Sequence, residues 1–194
     1  MYFRQFLPIL VIIGFHDSVV LAWESRTGLG LGQERVSNHG LGGAIGSAVS
    51  FEALTWLDRE RDSDFRDENW VLGVGLRSQG SGGAIGSWRF SRLHSGPNVV
   101  LKSLKWRWEC SFSPHGFQES YQYQGKSSLE GRGWGVTLGS KKILLSGRGW
   151  SLALGGYWEW REGRLLPPDT SNRAVSRVMR GTSQGTEVGV IWML

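Results

Sequence analysis

The stretch Val100-Leu-Lys-Ser-Leu-Lys-Trp-Arg-Trp-Glu-Cys-Ser-Phe112 alternates in character residue by residue. Leu104, Trp106, Trp108, Cys110 and Phe112 share one side of an extended chain, with Ser103, Lys105, Arg107, Glu109 and Ser111 on the other. Successive side chains of a strand point to opposite faces, so this period of two predicts a strand with one apolar and one polar face. The period recurs along the sequence. Leu29 and Leu31, Leu72 to Leu76, Trp134 to Leu138, Trp150 to Leu154 and Val188 to Leu194 each alternate with a second face made mostly of Gly, Ser, Thr and charged residues, with Ala153 and Ile191 among them. No segment carries a helical stripe, so the fold class is all-β.

Turn chemistry divides residues 23–194 into about ten strands, at 24–36, 43–57, 69–79, 83–93, 99–112, 117–124, 131–140, 143–161, 173–181 and 185–194. The alternative is eight strands beginning at 43, with residues 23–38 as a terminal arm. Two repeats lie on this frame. Gly42-Gly-Ala-Ile-Gly-Ser47 recurs as Gly82-Gly-Ala-Ile-Gly-Ser87, and Gly131-Arg-Gly-Trp134 as Gly147-Arg-Gly-Trp150. They suggest duplicated hairpins, with both hexapeptides opening a returning strand.

Alternation alone does not say which face is inside, but side-chain size does. The polar faces are mostly Gly, Ser, Ala and Thr with scattered charges, a set that fits a narrow lumen. A solvated outer face would not require small residues, and each glycine within a strand weakens it. The apolar faces carry the Trp, Leu and Val, which suits hydrocarbon, where a closed barrel pairs every backbone group. The expected architecture is an antiparallel up-and-down transmembrane β-barrel. Trp106, Trp108, Trp134, Val190 and Trp192 are expected to face lipid, with Trp23, Trp56, Trp70, Tyr123, Trp158 and Trp160 adding to an interfacial girdle.

The chain has 29 glycines, 11 tryptophans and 5 prolines, a composition that disorder would not carry. Arg4 precedes a short apolar run from Phe6 to Phe15, and Val20-Leu-Ala22 supplies a cleavage site, so residues 1–22 read as a signal peptide for Sec export. The run is too short to span a bilayer as a helix. The single Cys110 forms no disulfide within the chain. The net charge of +5 is spread among both signs, which excludes a nucleic-acid stripe and suits anionic lipid or lipopolysaccharide phosphates.

The last strand, with Val188, Val190, Trp192 and Leu194, resembles the C-terminal assembly signal of bacterial outer-membrane β-barrels. The resemblance covers the signal peptide, the strand pattern and this strand. It implies residence in the outer membrane of a Gram-negative envelope and recognition by the barrel-assembly machinery. It names an architecture and no activity.

Candidate chemistry lies in the lumen and in the connections. Glu24, Arg26, Glu52, Arg77, Arg89, Lys105, Arg107, Glu109, Glu159, Arg161 and Glu187 are expected to point inward as a compensated charge network that plugs the barrel. A narrow pore is the alternative use of the same residues. A lipid A-modifying enzyme would need Ser, His and an acid; His94 and Ser95 are placed in one loop and His115 in another, with Glu109 and Glu119 nearby in sequence. The four histidines and one cysteine show no metal-ligand spacing, so neither a metal nor a cofactor is expected. The residues point to a structural or interaction barrel.

Overall fold

The computed structural model describes residues 25–38, 42–57, 70–85, 87–103, 105–123, 127–166 and 177–193. The expected signal peptide, Trp23, Glu24 and Leu194 lie outside the described residues, as does one of the four histidines, His39. Eight strands follow in order: β1 (Ser25–Asn38), β2 (Gly42–Leu57), β3 (Trp70–Ile85), β4 (Trp88–Ser103), β5 (Trp108–Tyr123), β6 (Ser127–Gly147), β7 (Trp150–Leu166) and β8 (Arg177–Met193). Each pairs antiparallel with its neighbour in sequence, and β1 also pairs with β8, closing the barrel. The count is the alternative eight, not ten. Residues 25–38 are the first wall strand and not a terminal arm.

The difference arises where turn chemistry and barrel geometry disagree. Gly80-Ser-Gly82, Pro97, Pro114, Lys141-Lys142 and Thr182-Ser-Gln184 read as turns, yet all run within strands. The real reversal at 105–107 falls inside the most regular alternation. There Arg107 takes a left-handed backbone conformation, with φ 56°, without help from glycine. That turn also shifts the phase. Inward residues are even-numbered on β4 (Phe90, Arg92, His94, Asn98, Val100) and odd-numbered on β5 (Glu109, Ser113, His115, Phe117, Glu119).

The two hexapeptide copies meet each other. Ile45 pairs with Ala84, Gly46 with Gly83 and Ser47 with Gly82, so the second copy ends β3 and does not open a strand. A Cβ on Gly46 would stand 2.7 Å from the Gly82 carbonyl oxygen, which explains glycine at this crossing.

The faces are sorted as size predicts. Leu29, Leu31, Val49, Phe51, Leu72, Val74, Leu76, Leu101, Phe112, Leu138, Leu154 and Val188 are exposed on the outside, while acids and arginines are buried within. Most outer apolar residues form a belt around the half of the barrel where β1 begins and β8 ends, with Ile45, Leu93, Trp134 and Val178 exposed beyond it. Toward the other end the outer face turns polar, with Arg35, Arg89, Gln118, Gln122, Arg132, Arg164, Arg180 and Gln184 exposed.

Inside, apolar residues gather at the two ends. Val36, Ala44, Phe90, Phe117, Tyr121 and Met179 pack together toward the polar-collared end, and Leu54, Trp56 and Val100 toward the other. Trp56 is therefore an inward residue, not part of a girdle. Among the outward aromatics, Trp134 and Trp160 pack edge to face with ring centres 5.0 Å apart.

Candidate functional site

Between the two apolar ends the lumen holds interlocked charges. Near the belted end, Arg26 of β1 reaches across to Glu109 of β5, with Nη2 2.8 Å from Oε2, and also to Glu52 of β2 at 2.8 Å. Its guanidinium lies 4.7 Å from the Trp56 ring centre. The second oxygen of Glu52 accepts from Asn98 Nδ2 at 2.8 Å and lies 3.6 Å from Lys141 Nζ. Lys141 is 3.0 Å from Glu187 Oε1, and Arg77 and Ser50 each donate to Glu187 Oε2 at 3.0 Å. Glu52, Glu109 and Glu187 meet Arg26, Arg77 and Lys141 in this layer, and Lys102 Nζ lies 5.2 Å from the same Trp56 ring centre. Burial of each charge is tolerated because each is paired and hydrogen-bonded.

Gln79 joins this layer to a second one, accepting from Arg77 at 3.2 Å and donating to Tyr157 Oη at 2.7 Å. Tyr157 donates to Glu34 Oε2 at 2.9 Å, which also accepts from Arg92 at 2.6 Å. Arg92 donates to Ser183 at 3.0 Å and lies 3.2 Å from Glu159 Oε2. Arg161 pairs with Glu119, whose other oxygen accepts from Tyr121.

Glu159 Oε1 in turn faces two imidazoles, His94 Nδ1 at 2.8 Å and His115 Nε2 at 2.9 Å. The two rings are tilted by 48° with centres 4.2 Å apart. One donor atom from each of His94, His115 and Glu159 lies within 4.8 Å of the other two.

The expected inward residues thus divide. Arg26, Glu52, Arg77, Glu109, Glu159, Arg161 and Glu187 are buried in the lumen. Arg89, Lys105 and Arg107 are not: Arg89 has outward parity on β4, and Lys105 and Arg107 stand exposed in the turn between β4 and β5. Trp108, Trp134 and Trp192 are outward on strands, Val190 is half-buried with the same parity, and Trp106 is exposed on that turn.

The loop assignment of His94 and His115 is corrected as well. Both are buried strand residues, whereas Ser95 faces outward and shares a hydrogen bond of 2.9 Å with Ser78. Neighbours on one strand point to opposite faces, so Ser95 does not reach either histidine. Thr137 Oγ1 is 3.5 Å from His115 Nδ1, which makes a Thr-His-Glu chain, but all three lie buried between the apolar ends.

Glu34, Gln79, Arg92, Asn98, Lys141 and Tyr157 escape the sequence reading. Correct parity on β4 would find Arg92 and Asn98. The convergence of residues 94, 115 and 159 from three strands has no local signature.

No protein-family model and no curated protein matches the sequence. Among solved structures, the barrel is similar to neisserial surface protein A (NspA), with TM-score 0.57 and 14% identity over 87% of this chain and 96% of that one. A major outer membrane protein from Thermus thermophilus aligns with TM-score 0.44 and 13% identity, covering 89% of this chain and 100% of that one. The outer membrane protease OmpT from Escherichia coli aligns with TM-score 0.40 and 11% identity, covering 92% and 99%. The likeness to NspA is one of fold. The chain has the closed, eight-stranded antiparallel fold of small outer-membrane β-barrels.

Proposed function

We propose that the protein is a non-conducting barrel of the bacterial outer membrane, embedded through its apolar belt and serving as a structural or interaction element of the cell envelope. The observation that carries this reading is the inversion of faces: Leu, Val, Phe and Trp outside, six buried glutamates with their arginine and lysine partners inside. A water-soluble barrel with these faces would expose a continuous apolar surface far larger than monomers tolerate.

The strands support a protruding barrel. A transmembrane strand needs about 9–11 residues, and these run from 14 to 21. The surplus corresponds to the polar collar, which stands clear of the hydrocarbon. Exposed Arg35, Arg89, Arg132, Arg164 and Arg180 on that collar suit lipopolysaccharide phosphates, and the last strand suits the barrel-assembly machinery. The ion-pair layers between two apolar ends fill the lumen as a plug.

Outer-membrane fractionation followed by gel migration with and without boiling tests the embedding. The folded barrel is expected in the membrane fraction and to change mobility on heating. Recovery as a water-soluble monomer without detergent overturns the proposal. Planar bilayer recordings test the plug, with steady single-channel conductance as the contrary result.

A further inference from the structure

We propose that His94, His115 and Glu159 form a binding site for one borderline divalent transition-metal cation, of which Zn²⁺ is the representative. Three observations lead there, beginning with proton accounting at His115. Its Nδ1 lies 3.1 Å from the Ser113 carbonyl oxygen and its Nε2 lies 2.9 Å from Glu159 Oε1. Both neighbours are acceptors. A neutral imidazole carries one N–H, so one of the two contacts needs a second proton or a cation in its place. An imidazole nitrogen held by a backbone carbonyl, with the other facing a carboxylate and a second histidine, is the arrangement that orients metal-ligating histidines.

The second observation is charge. Among the described residues, the layer around Glu159 holds Glu34, Glu119 and Glu159 against Arg92 and Arg161, one cation short. The shortfall coincides with the two histidines. A dication bound to neutral imidazoles reverses it.

Geometry is the third. Glu159 is fully buried; its Oε2 stays in ion-pair contact with Arg92 at 3.2 Å and Arg161 at 3.8 Å, while Oε1, which faces both imidazoles, is the oxygen placed to ligate a cation. Ligands about 2.0–2.2 Å from Zn²⁺ stand a little over 3 Å from one another in a tetrahedron. The contacts of 2.8 and 2.9 Å therefore need to open by about half an ångström, and the remaining ligand separation, up to 4.8 Å, to close by about 1.4 Å. Two imidazole nitrogens with one carboxylate select Zn²⁺, Fe²⁺ or Co²⁺ over Ca²⁺ and Mg²⁺, which favour all-oxygen shells. The apolar ends of the lumen enclose the site, so the metal loads as the barrel folds.

The test refolds the full barrel from urea into detergent, free of any polyhistidine tag, with Zn²⁺ present or absent. Excess metal is then removed by chelating resin and the retained metal counted. Wild type and His39→Ala are expected to retain about one equivalent, and the double variant His94→Ala/His115→Ala under about a tenth. Co²⁺ is expected to give the visible absorption of a four-coordinate site. Heat-dependent gel migration certifies folding of each variant, and His115→Gln replaces the double variant if that one fails to fold. Wild type that retains no Zn²⁺ and gives no Co²⁺ spectrum overturns the site. So does a folded His-deficient variant that retains the wild-type amount.

Discussion

The register that pairs Ser95 with Gly116 and Val99 with Phe112 sets Pro97 of β4 opposite Pro114 of β5. Neither residue has an amide hydrogen, and the ladder lapses between these two pairs. The Ser113 hydroxyl covers part of the loss by donating to the Pro97 carbonyl at 2.8 Å. The wall beside His115 is thus held by a side chain where a backbone amide would normally serve.

Ser113→Ala is expected to lower stability by about 1–2 kcal/mol, because the Pro97 carbonyl loses its donor. In a Pro114→Val background, which restores an amide, the same substitution should cost clearly less. A double-mutant cycle from urea unfolding in lipid vesicles, followed by tryptophan fluorescence, measures the difference.

Arg26→Met strands the buried Glu109 carboxylate and takes one partner from Glu52, and is expected to cost about 3–5 kcal/mol. Adding Glu109→Leu should recover a substantial part of that, since a buried pair is worth little relative to an apolar replacement while a broken pair is expensive. Equal losses for the single and double variants in the same unfolding assay would contradict the pairing.

A Cβ on Gly75 would overlap the Ala53 carbonyl oxygen on β2, whereas one on Gly80, five positions further along β3, would meet nothing within 4 Å. Gly75→Ala is therefore expected to destabilise by more than about 1 kcal/mol, and Gly80→Ala to stay within about 0.5 kcal/mol of wild type. Unfolding midpoints of the two variants check the contrast.

Val188 and Gln184 are exposed on the same face of β8, one in the apolar belt and one in the polar collar. Four residues separate them by roughly 13 Å along the strand. Val188→Arg should weaken folding into vesicles by about 2–4 kcal/mol and Gln184→Arg by at most about 1 kcal/mol. Similar penalties at both positions would mean that the belt does not mark the depth of the hydrocarbon.

The faces of the wall are legible in the sequence because a two-residue period survives wherever a strand is correctly bounded. Leu29, Phe112, Trp134 and Val188 outward, and Arg26, Glu109 and Glu187 inward, follow from that period once side-chain size has told the inner face from the outer. The strand count is not legible, because glycine and proline have two meanings in this sequence. They mark a reversal at Gly149, where φ is 77°. At Gly80, Pro97 and Pro114 they are built into continuous strands. Conversely, the turn after Ser103 has no turn residues, and an undetected turn breaks the period that is carried across it, which is why Lys105 and Arg107 read as inward beside Glu109. The histidine pair is hidden for another reason. His94 and His115 each read as a loop residue when strands are drawn too short, and Glu159 joins them only through the curvature of a closed wall.

Strand β1 is held on one side by β2, its nearest neighbour in sequence, and on the other by β8, along a ladder from Arg26 with Met193 to Asn38 with Gly181. That seam joins the first wall strand synthesised to the last. Arg26 likewise meets Glu109 only once β5 has come round to face it. The seam exists in no shorter piece of the wall, so assembly is a late, all-at-once event with a large loop-closure cost. Until residue 193 arrives the sheet has two raw edges, each able to pair with the other or with the edge of another copy.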